Sequence, residues 1–375
     1  MSGPGWARWA ARIARAVEQD VDASRARRRT AHARQVVPYR GFGNRREIFV
    51  SGRVLGNPPA GPVDAADRWW RNLANAWRHL ETDEVAGARV RVRVGGAESE
   101  VLTDEEGFYR AWLEPASLES GSTWHDVHVE VVDRVRSEAP VRATGRALVP
   151  TRTAEFGVIS DLDDTVIRTE ATRLLRMLKR TLLENALTRL PFPGVAEFYE
   201  SLHAGASGSA GNPIFYVSSS PWNLYGVLTD FLQHQSVPPG PLMLRDWGIS
   251  DRGMLPTAHG DHKLGAIRQI MNCYAGLPFI LVGDSGQQDP EIYRDVVHEH
   301  GDRVLAVYIR NVTSDPARSH AISALSAEVR LAGSDLLLSD DTLASARHAA
   351  SHGWIRSDSV ERVADAVSSS AARPG

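Results

Sequence analysis

The fold is decided by one stretch of the sequence, Phe156-Gly-Val-Ile-Ser-Asp-Leu-Asp-Asp-Thr-Val166. Its apolar beginning predicts a buried strand of a parallel sheet. The strand ends in Asp161, Asp163 and Asp164, and carboxylates this close together repel each other unless a cation lies among them. Alternation along an extended chain directs Asp161 and Asp163 to the same side. Because ligands of open α/β sheets bind at the carboxyl ends of strands, and hard cations prefer oxygen ligands, the stretch predicts a Mg²⁺ site beside Asp161.

The chain that follows this stretch alternates apolar strands with helical segments, which is the pattern of βαβ units. We therefore expect an α/β fold, with a Rossmann-like parallel sheet flanked by helices, over residues 153–365. The strands predicted for this sheet cover residues 156–161, 214–218, 242–244, 279–283, 304–309 and 336–338.

Residues 46–152 have a different pattern, in which short strands are separated by turns. The segment Ala88-Arg-Val-Arg-Val-Arg-Val94 alternates valine with arginine, which predicts a half-buried strand with its arginines on a solvated face. Further strands are predicted at 47–55, 108–113, 124–132 and 141–149, with a helix at 67–80. This series indicates an antiparallel, β-sandwich-like accessory domain. Residues 41–46 are interpreted as a linker before it.

Residues 1–40 are predicted to form an amphipathic helical segment, because Trp6, Trp9, Ile13 and Val17 share one side of a helix over 6–29. Two interpretations remain open. The basic helix lies on a membrane surface, or it packs against the protein with its arginines in water.

Composition limits the class of protein. A chain of 375 residues suggests two domains rather than one, and a net charge of −3 argues against bulk binding of nucleic acid. No apolar run is long enough for a transmembrane segment, and arginines interrupt the first residues where a secretory signal would lie. The single cysteine, Cys273, is typical of a reducing compartment, so we expect a cytoplasmic location with peripheral membrane contact left open.

Two more of the predicted strands end in residues suited to phosphate or metal. One runs into Ser218, Ser219 and Ser220, whose hydroxyl and backbone N–H groups suit phosphate oxygens, although a serine before Pro221 also fits a helix cap. The other runs into Asp284, with Asp289 five residues later. A turn or helix-cap acid is the alternative interpretation of Asp284.

Positive charge in this sequence is carried almost entirely by arginine. Of 43 basic residues only Lys179 and Lys263 are lysines, so a retained lysine suggests a need for a compact ammonium group. Lys263 is predicted to open a helix with Leu264, Ile267 and Met271 on its apolar side, a position where the helix dipole disfavours a cation. A functional role is therefore favoured for Lys263, whereas His259 and His262 are interpreted as loop residues.

These segments, taken in order, resemble the motifs of the haloacid dehalogenase (HAD) superfamily. The resemblance narrows to the catalytic domain of the actin-patch-protein type of phosphatidate phosphatase, a family related to the lipins. It covers about residues 155–350, and its most specific segment is Ser219-Ser-Pro-Trp222. Asp164 differs from the corresponding position of the acidic motif in lipins, which is glycine.

The resemblance implies a HAD-like sheet and a Mg²⁺-dependent phosphatase that works through an aspartyl-phosphate. It implies that Asp161 is the nucleophile, that Asp163 donates and accepts protons, and that Ser218 and Lys263 hold the transferring phosphoryl group. The remaining implied roles are substrate contacts from Thr165, Ser219 and Arg168, and metal contacts from Asp161, Asp163, Asp284 and Asp289.

Phosphatidate is the substrate that the resemblance implies, and residues 171–186 offer a helix with leucines on one face and arginines on another that suits an anionic lipid surface. Packing of this helix on the protein is the alternative.

Two other functions remain open: hydrolysis of a soluble phosphomonoester, and binding of lipid by a lipin-like module without catalysis. Retention of Asp161, Asp163 and Lys263 favours an enzyme.

Overall fold

The structure is a computed structural model that describes residues 34–56, 84–132, 140–162, 193–245, 259–313 and 315–371. The helices predicted at 6–29, 67–80 and 171–186 lie outside these residues. Within them the chain forms a mixed α/β structure, with a largely antiparallel sheet followed by a parallel sheet flanked by helices.

The strands and helices are numbered here in chain order. The strands of the first sheet are β1 (Arg34–Pro38), β2 (Gly41–Gly43), β3 (Ile48–Gly56), β4 (Arg89–Val94), β5 (Ala97–Leu102), β6 (Phe108–Leu113), β7 (Trp124–Val131) and β8 (Val141–Leu148). Those of the second are β9 (Gly157–Asp161), β10 (Ile214–Pro221), β11 (Leu242–Arg245), β12 (Phe279–Asp284), β13 (Val304–Arg310) and β14 (Asp335–Ser339). The helices are α1 (Val195–Ala204), α2 (Tyr225–His234), α3 (His259–Cys273), α4 (Asp289–His300), α5 (Pro316–Leu331), α6 (Thr342–Ser351) and α7 (Ser357–Ala371).

The parallel sheet has the strand order β11-β10-β9-β12-β13-β14, and every neighbouring pair is parallel. Its strands bury both faces, as the continuous apolar runs predicted. Ile159 and Leu281 pack on one side with residues of α3, α4 and α5, whereas Val158 and Ile280 pack on the other with residues of α1, α2, α6 and α7. The six predicted strands of this sheet are confirmed, and no predicted end differs from the observed one by more than three residues.

The sheet order brings three of the polar strand ends to one edge. Strand β9 lies between β10 and β12, and in the β9–β10 register Val217 is opposite Asp161. Ser218 is the next residue of β10, and Val282 of β12 is opposite Ser160. Because parallel strands end at the same side of the sheet, Asp161, Ser218 and Asp284 emerge at neighbouring positions.

The first sheet confirms the alternation of β4. Val90, Val92 and Val94 are buried in one core, and Arg93 on the other face is exposed and pairs with Glu98 at 2.5 Å. Its strand order is β1-β3-β2-β8-β7-β4-β5, with β6 paired to β3. The β-sandwich architecture and the domain boundaries stay predictions.

The beginning of this sheet differs from the sequence-based expectation. The interpretation of residues 41–46 as a linker is wrong at its start, because Gly41–Gly43 forms β2, paired with β3 and β8. A Cβ at Gly41 would collide with the carbonyl oxygen of Phe49, so glycine here serves close strand approach rather than flexibility. Strand β1 lies inside the range predicted as helical, and β5 was not predicted.

The two sheets share a core. Phe42 of β2 and Leu148 of β8 belong to the same buried cluster as Phe215 of β10, and the rings of Phe42 and Phe215 meet edge to face at 5.9 Å. Tyr39 stacks on Trp222, with ring centroids 4.4 Å apart, in the segment that follows the three serines. Helices long and apolar enough to cross a membrane are not found among the described residues.

Candidate active site

Asp161 and Lys263 form a buried ion pair at the end of β9. The Lys263 Nζ atom is 2.7 Å from Asp161 Oδ1, and only 4% and 2% of the two side chains are exposed. The same ammonium donates to Asp289 Oδ1 at 3.0 Å and to Gln287 Oε1 at 3.3 Å. One cation therefore lies between two carboxylates that would otherwise repel each other in a medium of low polarity.

Helix α3 carries Lys263, and the prediction that this lysine opens the helix is wrong. The helix begins at His259, so Lys263 lies about one turn inside it, and His259 and His262 belong to its first turn rather than to a loop. The helix is fixed by buried Ile267 and Met271, which face the parallel sheet. The 3.6-residue period brings Lys263 and Ile267 to the same side, so packing of the apolar stripe directs the ammonium toward the sheet.

The loop after β12 folds around two carboxylates. Asp284 Oδ1 accepts hydrogen bonds from the backbone of Gly286 at 2.6 Å and of Gln287 at 3.3 Å. Asp289, which is fully buried in the first turn of α4, accepts from the Asp284 backbone N–H through Oδ2 at 3.1 Å. Both oxygens of Asp289 are thus engaged, one by Lys263 and one by the loop, which ties the end of β12 to the end of β9.

Gly283 makes room for this arrangement. A Cβ atom at position 283 would lie 2.6 Å from Asp289 Oδ2 and 2.8 Å from a ring carbon of Tyr293. These separations are well below van der Waals contact, so the glycine before Asp284 is required by the close approach of the Asp289 side chain.

The three acids can share a cation. Asp161, Asp284 and Asp289 each offer one carboxylate oxygen, and these atoms lie within 4.8 Å of one another. An all-oxygen donor set with this charge fits a hard divalent ion such as Mg²⁺ better than a soft one. The side chains present therefore fit the predicted metal, and Lys263 balances part of their charge.

Ser218 and Ser219 lie in β10, which continues to Pro221 before a short 3₁₀ turn. The interpretation of a serine as a helix cap does not hold, because that turn has no side-chain cap. Ser218 is buried and its Oγ accepts a hydrogen bond from the Ser220 backbone at 3.0 Å. The hydroxyl is therefore fixed at the strand end that neighbours Asp161.

Arg318 of α5 is a residue that the sequence did not indicate. Its guanidinium donates to the carbonyl oxygens of Ser285, at 2.9 Å, and Gln287, at 2.5 Å, and forms a two-pronged ion pair with Glu291. The Glu291 hydrogen bond raises the pKa of Arg318, and the charges of Asp284 and Asp289 add to this shift. Arg318 thus holds the carbonyl side of the loop whose N–H groups bind Asp284. A distant arginine on a helix gives no local sequence signal for this role.

A buried pair supports β9 from the other face of the sheet. The Tyr199 hydroxyl is 2.6 Å from Ser160 Oγ, which in turn donates to the Asp161 carbonyl oxygen at 2.9 Å. Burial raises the pKa of Tyr199 to about 12, so the phenol stays protonated and acts as a structural hydrogen-bonding group. Sequence patterns did not indicate this pair either.

The structure brings together Asp161, Lys263, Asp284 and Asp289 among the predicted site residues. Asp163, Thr165 and Arg168 lie outside the described residues, and so does Asp164, the departure from the lipin pattern.

Comparison with known proteins agrees with the resemblance. Residues 156–311 match the family described as the catalytic domain of phosphatidate phosphatase APP1. The chain is 32% identical over 155 residues to phosphatidate phosphatase APP1 of Saccharomyces cerevisiae, a match that covers 41% of this chain and 26% of the yeast protein. It is 27% identical over 162 residues to an uncharacterised protein of Schizosaccharomyces pombe, covering 43% and 26% of the two chains. The chain therefore spans about a quarter of the length of these curated relatives.

Similarity to solved structures is low. One example is a carbohydrate acetylesterase from Xanthomonas citri, with 14% identity and a TM-score of 0.24 over 78% of this chain and 74% of the other. Such a score carries no argument about fold or function. The family match, in contrast, begins at the strand that ends in Asp161 and runs just past the end of β13.

Proposed function

We propose that this protein hydrolyses the phosphomonoester of phosphatidate to diacylglycerol and inorganic phosphate, because residues 156–311 match the catalytic domain of phosphatidate phosphatase APP1. The proposal includes a HAD-like fold for residues 153–365. The observation that carries it is the buried contact of Asp161 with Lys263, beside Asp284 and Asp289 at the carboxyl edge of a parallel sheet.

Mg²⁺ is the proposed cofactor. Asp161 and Asp284 would hold it by carboxylate oxygens, with the Asp163 carbonyl as a further ligand. Asp289 would hold it directly or through water, and it also orients both Lys263 and the Asp284 backbone. When bound, the ion neutralises the phosphate dianion and the carboxylates, so that like charges can meet.

The proposed reaction has two steps with a covalent intermediate on Asp161. A carboxylate oxygen of Asp161 attacks phosphorus, the ester P–O bond breaks, and Asp163 gives its proton to the leaving alkoxide. Asp163 then takes a proton from water, which attacks the aspartyl-phosphate, releases phosphate and restores the Asp161 carboxylate.

Electrostatic support comes from groups already fixed before substrate arrives. The Lys263 ammonium touches the nucleophile, so it can compensate negative charge as the phosphoryl group is transferred. Ser218 would donate to a phosphoryl oxygen from the neighbouring strand end, and Thr165, Ser219 and Arg168 would complete the substrate contacts. A peripheral contact with the membrane is part of the proposal, because the substrate is a lipid.

The test is a comparison of substrates and metals with the full chain. Phosphate release would be measured from phosphatidylcholine vesicles containing phosphatidate and from p-nitrophenyl phosphate, each with Mg²⁺ or with EDTA. The proposal expects Mg²⁺-dependent release from the vesicles at a rate at least about tenfold above that from the soluble ester. Faster turnover of the soluble ester would assign a different substrate class, and vesicle binding without phosphate release would indicate a non-catalytic lipid-binding module.

A further inference from the structure

A second group of metal-ligand side chains lies away from the Asp161 cluster. Asp335 is the first residue of β14, the outermost strand of the parallel sheet, His348 is in α6, and His352 follows the end of that helix. One ligand atom from each lies within 4.8 Å of the others. Asp161 is the last residue of its parallel strand, so Asp335 lies toward the opposite edge of the sheet.

The distances leave an opening between the three side chains. His348 Nε2 is 3.6 Å and His352 Nε2 is 3.9 Å from Asp335 Oδ2, which is too long for hydrogen bonds. In a tetrahedral site with metal–ligand bonds of about 2.0–2.1 Å, neighbouring ligand atoms are about 3.4 Å apart. A shift of about half an ångström or less would therefore bring each histidine Nε2 to that separation from Asp335 Oδ2.

The other nitrogen of each imidazole is already engaged. His352 Nδ1 is 3.0 Å from the backbone carbonyl oxygen of His348, and His348 Nδ1 is 3.0 Å from the Tyr308 hydroxyl. A carbonyl oxygen only accepts, so His352 Nδ1 carries the proton, and in the neutral ring the Nε2 lone pair faces a carboxylate. A proton on Nε2 or a metal ion between the two atoms would relieve the repulsion of that pairing, and an Nδ1–H donated to a carbonyl is how metal-binding histidines are commonly oriented.

The rings are held in place by aromatic contacts. Trp354 stacks on His352 with centroids 4.7 Å apart and planes at 21°, and the two histidine rings are 4.3 Å apart. The His352 side chain is 42% exposed, so water can occupy a fourth position. Arg330 also lies near the cluster, with Nε 3.9 Å from Asp335 Oδ1.

We propose that Asp335, His348 and His352 bind a divalent transition-metal ion such as Zn²⁺, in a site separate from the acidic cluster beside Asp161. Two imidazoles and one carboxylate suit Zn²⁺ or Co²⁺, whereas the all-oxygen cluster suits Mg²⁺. Bound there, the ion would join edge strand β14 to the end of α6 and so stabilise the C-terminal part of the sheet. This proposal does not depend on phosphatase activity.

Co²⁺ is the probe for the test, because a tetrahedral nitrogen-containing site gives strong visible absorption that octahedral oxygen sites lack. The full chain, stripped with a chelator and desalted, would be titrated with Co²⁺ in the presence of excess Mg²⁺. We expect one equivalent of Co²⁺ to give the tetrahedral spectrum and Zn²⁺ to displace it. His352→Ala should weaken binding by at least about tenfold, and Asp335→Asn should do the same.

Two controls separate this site from the rest of the chain. His298→Ala removes an exposed histidine of α4, and Asp284→Asn alters the acidic cluster, and both should keep the Co²⁺ spectrum. Retained Mg²⁺-dependent activity in His352→Ala would show that the variant is folded; circular dichroism gives the same check if no activity is found. A wild-type chain without tetrahedral absorption at millimolar Co²⁺, or a spectrum unchanged in His352→Ala, would overturn the proposal.

Discussion

Lys263 Nζ lies 2.7 Å from Asp161 Oδ1 and 3.0 Å from Asp289 Oδ1, so a single ammonium joins the end of β9 to the beginning of α4. All three side chains are nearly inaccessible to water. A buried charge without a partner raises the free energy of the folded state, so the two carboxylates and the ammonium group stabilise one another. In a sequence with only two lysines, this one occupies the position where a compact charge must touch two acids.

Replacement of Lys263 tests this dependence. Lys263→Met leaves the two carboxylates without their cation, and we expect phosphate release to fall by about 10²–10³-fold. Lys263→Arg should also lose activity, because a planar fork does not replace a compact ammonium. The matched control is Arg268→Met, which removes an exposed cation from the same helix. Steady-state rates at saturating Mg²⁺ provide the measurement, and a Lys263→Met rate within twofold of wild type would refute the role.

Gly283→Ala is predicted to disturb the metal loop without removing any charged group. Its Cβ would lie 2.6 Å from Asp289 Oδ2, so Asp289 must move and release either Lys263 or the Asp284 backbone. We expect the Mg²⁺ concentration at half-maximal activity to rise by about tenfold or more. Gly276→Ala is the control, since a Cβ there meets nothing within 4 Å. Equal Mg²⁺ dependence in both variants would contradict the steric argument.

Arg318 is predicted to position the metal loop rather than to touch substrate. In Arg318→Met the carbonyl groups of Ser285 and Gln287 lose their donor, and the N–H side of the loop that binds Asp284 becomes less fixed. The expected result is a 10–100-fold loss in apparent Mg²⁺ affinity, about the size found for groups that orient metal ligands. Maximal activity should largely recover at high Mg²⁺. The control is Arg294→Met, which removes a more exposed arginine of α4 and should change neither the apparent Mg²⁺ affinity nor the maximal activity. If high Mg²⁺ does not restore the activity of Arg318→Met, a direct catalytic role of Arg318 is indicated instead.

Arg53 connects the first sheet to the segment after the serines. It is buried, donates to the Asn223 side chain at 2.7 Å and to the Glu106 carbonyl at 2.7 Å, and lies over the Phe108 ring. Asn223→Ala leaves part of this guanidinium without its acceptor, so we expect the free energy of unfolding to fall by about 1–3 kcal/mol. Denaturant titration measures the change. Arg142→Ala, at an exposed ion pair of the same sheet, should cost less than about 1 kcal/mol. An Asn223→Ala variant as stable as wild type would show that the two sheets do not depend on this contact.

The sequence was sufficient for the strands whose burial leaves a clear pattern. The apolar runs that end in Asp161, Ser218 and Asp284 are buried on both faces. Apolar and charged residues alternate along β4 because one face of that strand is exposed to solvent. Strand β5, Ala97–Leu102, was not predicted because its residues are partly exposed on both faces and its charges pair across to β4. The linker interpretation misses strand β2 because glycines that allow close approach of two strands cannot be distinguished by composition from glycines that make a segment flexible.

Only those site residues that belong to a local sequence pattern could be predicted. Asp284 and Asp289 follow a strand end, and Lys263 stood out by its rarity, so their sequence context carried information. Arg318 and Tyr199 contact the site through packing of distant helices, and no local pattern marks such contacts. The start of α3 was misplaced by one turn because the signals for a helix start before Lys263 are weak.

The most direct test of the account is whether Asp161 becomes phosphorylated. Wild-type chain and Asp161→Asn would be mixed with vesicles containing radiolabelled phosphatidate and Mg²⁺, quenched in acid and digested. We expect a hydroxylamine-sensitive label on the wild-type peptide containing Asp161. In the folded Asp161→Asn variant we expect no label and at least about a thousandfold slower phosphate release. Label on another residue, or normal turnover by Asp161→Asn, would contradict it.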